Sequence, residues 1–227
     1  MIVEEYNYQP QKPISNIRKG KTISFIISII KKTPKYFHSA IQTKNIIKQL
    51  NENDYTQIIV EQFTAILLEN NSSISAQNQY SDLFYGTKGF PDIYFYQAEK
   101  GKTNKPIFVL ESKILPAPTK NREQEYVIGE KENGGIERFK IGKHGTGFDE
   151  CGIIGFVRDK DFNHWEKKIN EWIKDLSMKD SFWNIDEKVV PQEKNRYYSY
   201  LISFAHRIKS NDVRLHHFWL ITNNTTH

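Results

Sequence analysis

Residues 89–113, GFPDIYFYQAEKGKTNKPIFVLESK, constrain the fold more than any other stretch of the chain. Ile93 to Tyr96 is a short aromatic and β-branched run, Ile107 to Leu110 is continuously apolar, and Gly101 to Lys105 between them is a polar turn cluster. That pattern predicts an antiparallel hairpin. One acid, Asp92, stands at the entrance of the first strand and another, Glu111, at the exit of the second. In an antiparallel pair those two points are neighbours, and Lys113, two residues beyond Glu111, shares its face. Two carboxylates and an ammonium are costly to hold at the end of an apolar hairpin. A hard, oxygen-seeking cation such as Mg²⁺ makes the cluster sensible, because the acids neutralise and orient it while the lysine meets a phosphate or a water.

The order Pro91-Asp92, eighteen residues (93–110), then Glu111-Ser112-Lys113 resembles the PD-(D/E)xK signature of the restriction-endonuclease-like nuclease superfamily. The resemblance implies an α/β fold with an αβββαβ core, a central mixed sheet flanked by helices. It implies Mg²⁺, with Mn²⁺ as a substitute, held by Asp92, Glu111 and the backbone carbonyl of Ser112. Lys113 would orient or deprotonate the attacking water. A helix ahead of the hairpin often supplies a further acid in this superfamily, and Glu61 and Glu69 are the candidates here. They lie about 80° apart around a helix axis and two turns apart along it, so only one is expected to reach. Glu61 is preferred because it falls inside the apolar stripe. Asp82 is a lesser candidate whose ordinary role is a turn or cap. The implied reaction is endonucleolytic hydrolysis of double-stranded DNA in prokaryotic or phage-encoded restriction or anti-phage defence, although these residues suit RNA equally well. A structure-specific repair or recombination nuclease and a non-catalytic module binding nucleic acid or a partner protein are the alternatives.

The remaining composition is compatible with that reading. The 227 residues are expected to form one domain, with 1–50 an N-terminal helical extension, 51–176 the catalytic core and 177–227 a C-terminal hairpin. A net charge of +5 suits a polyanionic partner. The single cysteine, Cys151, excludes an internal disulfide, fits a reducing cytoplasm and is expected in a buried strand. The N-terminus has no secretory pattern, and the apolar run Ile23 to Ile30 is too short to span a membrane. Gly20-Lys21-Thr22 is not a phosphate loop, since Ser15 stands where the first glycine is required.

Taken in order, Ile23 to Ile30 reads as a strand covered on both faces. Thr33-Pro34 opens a helix running to about Leu50, and Asn53 or Asp54 opens another over Tyr55 to Glu69. Residues 74–90 read as a short strand or an irregular loop. Beyond the hairpin, Arg122, Gln124 and Tyr126 begin a helix, and Ile136 to Phe139 starts another short one after Gly134-Gly135. Gln124 and Arg138 loosely match the phosphate-contacting residues that follow the ExK strand in related nucleases. In the loop IGKHGTG, glycines around Lys143 and His144 allow close approach to a ligand, and both side chains can contact phosphate or a base edge.

Gly152 to Val157 is expected as a further core strand, followed by an amphipathic helix with Phe162, Trp165, Ile169, Trp172, Ile173 and Leu176 on its inner stripe. Tyr197 to Phe204 and Val213 to Ile221 read as two strands whose aromatics pack a sheet, extending it or completing a dimer interface. His206, His216 and His217 form no zinc pattern with Cys151. With no motor and no separate DNA-reading domain in the sequence, a homodimer or an activating partner protein is expected.

Overall fold

A computed structural model describes residues 16–43, 46, 48–81, 83–87, 89–207 and 210–223. Its framework is one seven-stranded mixed sheet with helices on both faces. Helices α1 (Asn16–Lys32), α2 (Pro34–Ile41) and α3 (Glu52–Glu69) come first. Strands β1 (Ile74–Asn78), β2 (Ile93–Gln97) and β3 (Pro106–Leu115) then form an antiparallel meander. Helix α4 (Gly135–Lys140), β4 (Glu150–Val157) and α5 (Phe162–Ser177) follow, and β5 (Val190–Lys194), β6 (Tyr198–Ala205) and β7 (Val213–Ile221) complete the chain. The sheet order is β1-β2-β3-β4-β7-β6-β5. β4 runs parallel to both β3 and β7, while β7, β6 and β5 are antiparallel.

Each face of the sheet has its own core. On one, Ile26, Ile29 and Phe37 from α1 and α2, with Ile59 and Phe63 from α3, pack on Phe95, Phe108, Phe156 and Phe218. On the other, Trp165, Ile169 and Trp172 of α5 and Phe139 of α4 pack on Val109, Ile153, Leu215 and Trp219. Cys151 is fully buried in the second core, as expected of a strand residue, and burial pushes its thiol up to about 12. Two adjacent histidines of β7 face opposite cores. His216 meets the Tyr200 hydroxyl at 2.8 Å and Glu150 at 2.9 Å. His217 lies between the Tyr126 hydroxyl and the Ser203 hydroxyl, each at 2.8 Å, while the Trp219 indole N–H donates to Tyr126. Burial holds His217 down to about 3 and also lowers His216.

The hairpin, β4 and α5 form where the sequence places them, and α5 is capped by the Asp161 side chain, which accepts from the His164 N–H. Three readings need correction. Residues 23–30 are helical, not a strand: Ile23, Ile26 and Ile30 are buried at i, i+3 and i+7, while Ser24 is exposed. A short apolar run does not reveal its period until a partner surface selects one face. The helix opened by Pro34 stops at Ile41, short of Leu50, with Gln42 as its C-cap. The segment at Arg122 to Tyr126 contributes only a 3₁₀ turn over Lys120–Arg122. Strand β5 was not anticipated; it carries Pro191 and is exposed along its length, as an edge strand tolerates. The C-terminal hairpin does extend the sheet, and its β7 packs against β4 as an interior strand. Among the described residues no helix is long and apolar enough to cross a membrane.

Candidate metal and catalytic site

The site is built on a gap in strand pairing. β2 begins at Ile93, opposite Leu110 of β3, so beyond Leu110 the β2 side of β3 has no strand against it. Two carboxylates take the amides exposed there. The Ser112 N–H donates to Asp92 Oδ2 at 2.8 Å, and the Ile114 N–H donates to Glu52 Oε2 at 3.1 Å. A strand residue directs its N–H and C=O to the same side, so the Ser112 carbonyl also points toward Asp92. Asp92 arrives on the lead-in to β2. Glu52 arrives on the first turn of α3, which is fixed by a reciprocal cap: Asn51 Oδ1 accepts from the Asp54 N–H at 3.0 Å and Asp54 Oδ2 from the Asn51 N–H at 2.9 Å.

Glu111 and Lys113 share one face of β3, as alternation requires, and Lys113 Nζ donates to Glu111 Oε1 at 2.8 Å. Lys113 Nζ also lies 4.0 Å from Glu52 Oε1. Glu111 is fully buried and Lys113 is 5% exposed. Arg138 of α4 donates Nη1 to Glu111 Oε1 and Nη2 to Asn133 Oδ1. His144 Nδ1 is 2.9 Å from Glu111 Oε2, but neither atom makes an aligned hydrogen bond there. Among the described residues, Glu111 Oε2, His144 Nδ1, Arg138 Nε and, on the other face of β3, Ser112 Oγ are buried polar atoms left without a hydrogen-bond partner.

Glycines allow these elements to close. A Cβ on Gly89 would come 2.1 Å from the Lys143 carbonyl oxygen and 2.3 Å from the His144 ring. One on Gly135, at the start of α4, would come 2.9 Å from the Tyr126 carbonyl oxygen and 3.4 Å from Lys113 Cγ.

Charge is unevenly shared in the cluster. Burial works against ionised Glu111, yet Lys113, His144 and Arg138 hold it well below the usual carboxylate range. Burial likewise opposes the Lys113 charge, but Glu111, Glu52 and Asp92 raise it above an ordinary lysine. Asp92 is pushed up to about 8 by burial and by Glu111, with Lys113 and the Ser112 amide only partly offsetting them. Glu52 is raised chiefly by burial. Three carboxylates therefore face two permanent cations, and the surplus falls on Asp92. An all-oxygen donor set with surplus negative charge and an unpartnered Glu111 Oε2 fits a hard divalent cation.

Asp92, Glu111, Ser112 and Lys113 thus come together as the sequence implied. Glu61 does not join them. It is exposed on α3, where Gln57 Nε2 donates to it at 3.1 Å. Nine residues separate it from Glu52, which at about 100° each puts the two on opposite sides of the helix. Glu69 is exposed at the far end of α3. The helix acid is Glu52, and its signal was the Asn51-to-Asp54 cap, which places Glu52 in the first turn.

Arg138 and His144 are not free to grip a distant phosphate; both are partners of Glu111, and His144 is only 2% exposed. Lys143 is half-buried, donating to the Glu132 carbonyl at 3.3 Å. Gln124 is exposed and lines an open cleft of about 550 Å³ with Arg122 and Asn133. A second cleft, of about 520 Å³, is walled by Asn51, Glu52, Arg122 and Arg158 and reaches the cluster from the Glu52 side. Asp82 lies outside the described residues. Comparison with protein-family models, curated proteins and solved structures finds no match for this chain.

Proposed function

We propose that the chain is a metal-dependent endonuclease of the restriction-endonuclease-like kind, hydrolysing phosphodiester bonds of DNA in restriction or anti-phage defence. The observation that carries this reading is the convergence of Asp92 and Glu52 on the unpaired amides of β3, beside the buried Glu111–Lys113 pair. Surfaces rarely concentrate acids this way, because burying unbalanced carboxylates costs several kcal/mol in the absence of a compensating ligand, on the order of the penalties for buried ions. The succession α3-β1-β2-β3-α4-β4 also has the αβββαβ order that the motif implies.

Asp92, Glu111, Glu52 and the Ser112 carbonyl would hold Mg²⁺ or Mn²⁺, which when bound supplies a nucleophilic water at neutral pH and draws charge from the phosphate. The chain's own residues do the rest. Lys113 stays protonated in this surround, so it orients the water and stabilises the developing charge on the phosphate in preference to acting as a base. Arg138 and His144 hold the Glu111 carboxylate in one orientation. The adjoining cleft beside Glu52 has Arg122 and Arg158 in its lining, Arg122 paired with Glu125 and Arg158 donating to the Leu50 carbonyl.

One observation favours a second reading, a binding module in which the cluster is structural: Glu111 is fully buried with cations at one oxygen and an imidazole at the other. Incubating the protein with supercoiled plasmid, linear DNA and single-stranded RNA in Mg²⁺, Mn²⁺ or EDTA separates the two. Metal-dependent cleavage abolished in both Asp92→Ala and Lys113→Ala supports the nuclease. No cleavage, together with titration calorimetry in which wild type and Asp92→Ala take up Mn²⁺ alike, would refute it.

A further inference from the structure

A second surface, remote from the Asp92 cluster, has the chemistry of a polyanion site. A groove of about 480 Å³ is lined by Lys31, Lys32 and Lys35 with Tyr36, Asn195 and Tyr197, and by one exposed acid, Glu69, against these three lysines. Its two walls repeat one motif from distant parts of the sequence. On α2, Lys35 Nζ lies over the Tyr36 ring, 4.6 Å from its centroid. On the turn between β5 and β6, the Arg196 guanidinium lies 4.5 Å from the Tyr197 centroid and also donates to the Tyr197 hydroxyl. The His38 ring packs on Tyr197 at 5.4 Å. Lys31 is fixed between Glu193, at 3.0 Å, and the Tyr200 ring, at 3.9 Å. By contrast, Lys32, Lys35 and Arg196 are exposed and have no carboxylate within ion-pair distance among the described residues. Tyr36 is 44% exposed.

From this pairing of unneutralised cations with accessible phenol rings we infer that the groove binds single-stranded nucleic acid. Cations on flexible stems suit phosphates, and ring faces suit unstacked bases of any sequence. An acidic peptide would use the cations and leave the rings idle. Lys32, Lys35 and Arg196 follow the backbone, the exposed Tyr36 ring accepts a base, the half-buried Tyr197, packed against Arg196 and His38, edges the groove, and Asn195 offers an amide to a base edge or a sugar. The groove shares no residue with the Asp92 cluster, so it stands whether or not that cluster cuts.

The test is fluorescence anisotropy of a labelled single-stranded oligonucleotide in EDTA, across a salt series. Lys32→Glu/Lys35→Glu should weaken binding at least about tenfold and lower the log–log salt slope by about 1.4, near 0.7 for each lost phosphate contact. The same charge change on the outer face of α5, Lys167→Glu/Lys174→Glu, should leave binding within about twofold, and Asp92→Ala should bind like wild type. Tyr36→Ser should weaken the single strand more than a duplex of the same length. Wild type that does not bind, equal losses in the α2 and α5 double variants, or polyglutamate competing as well as unlabelled oligonucleotide would each overturn the assignment. Cleavage lost in Asp92→Ala with groove binding intact, or the reverse, tells the two sites apart.

Discussion

Lys140 and Glu187 form an ion pair with both side chains fully buried, and it provides the sharpest test of the α4 side of the fold. Lys140 Nζ donates to Glu187 Oε1 and to the His206 carbonyl at 3.2 Å, beneath the rings of Phe182 and Trp183 at 4.6 and 4.9 Å. The carboxylate also accepts two backbone N–H groups, from His206 at 2.7 Å and Asn184 at 2.9 Å. Lys140→Met removes the cation and leaves an ionised group in a closed core, which costs about 3–5 kcal/mol. For a chain of this size that corresponds to a fall in Tm of roughly 6–20 °C. In Lys140→Met/Glu187→Gln the uncompensated charge is gone and the amide oxygen still accepts from backbone, so the double variant should be more stable than Lys140→Met by about 1–3 kcal/mol. Urea unfolding of wild type, both single variants and the double variant gives the full cycle. A Lys140→Met loss below about 1 kcal/mol, or additive single losses, would refute the buried pair.

Three further outcomes follow from the site and the cores. Glu52→Gln should lower metal-dependent cleavage at least about tenfold while Glu61→Gln stays within about twofold; plasmid nicking rates decide it, and equal losses would return Glu61 to the site. Gly89→Ala should destabilise the fold by about 1–3 kcal/mol, because its methyl meets the Lys143 carbonyl and the His144 ring, and urea midpoints measure it. The buried histidines should remove stability on acidification: His217, neutral in the fold and held near 3, takes up a proton only on unfolding below about 6.5. The contribution is complete above that pH and is lost at about 1.4 kcal/mol per pH unit as pH falls toward 3, with His216 adding in the same direction. Half-buried His206, raised by Asp212 and Asp186, works oppositely, its contribution fading as pH rises through its folded value. Asp92, pushed up to about 8, and Glu52 also work oppositely, so urea unfolding of Asp92→Asn/Glu52→Gln at pH 7, 6 and 5 isolates the histidines, and a profile there that does not fall on acidification would contradict two neutral buried imidazoles.

The local periodicities of the hairpin and of α5 were strong enough to read because each has one solvent-facing side, or a polar turn, that marks its register. In α1 apolar residues fill six of the eight positions from Ile23 to Ile30, so the period is set only by what the helix meets. Glu52 was hidden by a displacement of the cap from Asn51 to Asn53 or Asp54, a shift small along the chain but enough to leave the residue outside the helix. Arg138 and His144 read in sequence as phosphate-contacting residue types, and the structure sets both against Glu111. Their contacts with Glu111 depend on α4 and the glycine loop folding back over β3, and no local pattern records that. The neighbourhood of β4 and β7 is likewise a matter of topology, joining strands separated by α5, β5 and β6.

The donors that position Asp92 and Glu52 are main-chain amides of Ser112 and Ile114. Substituting the side chains at positions 112 and 114 leaves those donors in place, and what limits it is packing, since Ser112 is fully buried and Ile114 belongs to the core. Proline is the one substitution that deletes an amide, so at these two positions it should cost the anchor as well as the packing. The acids themselves are limited by reach, because each meets its amide with a particular side-chain length from a particular element. Variation in this part of the molecule is thus limited in two ways: by packing along the strand that supplies the hydrogens, and by side-chain reach at the two points that receive them.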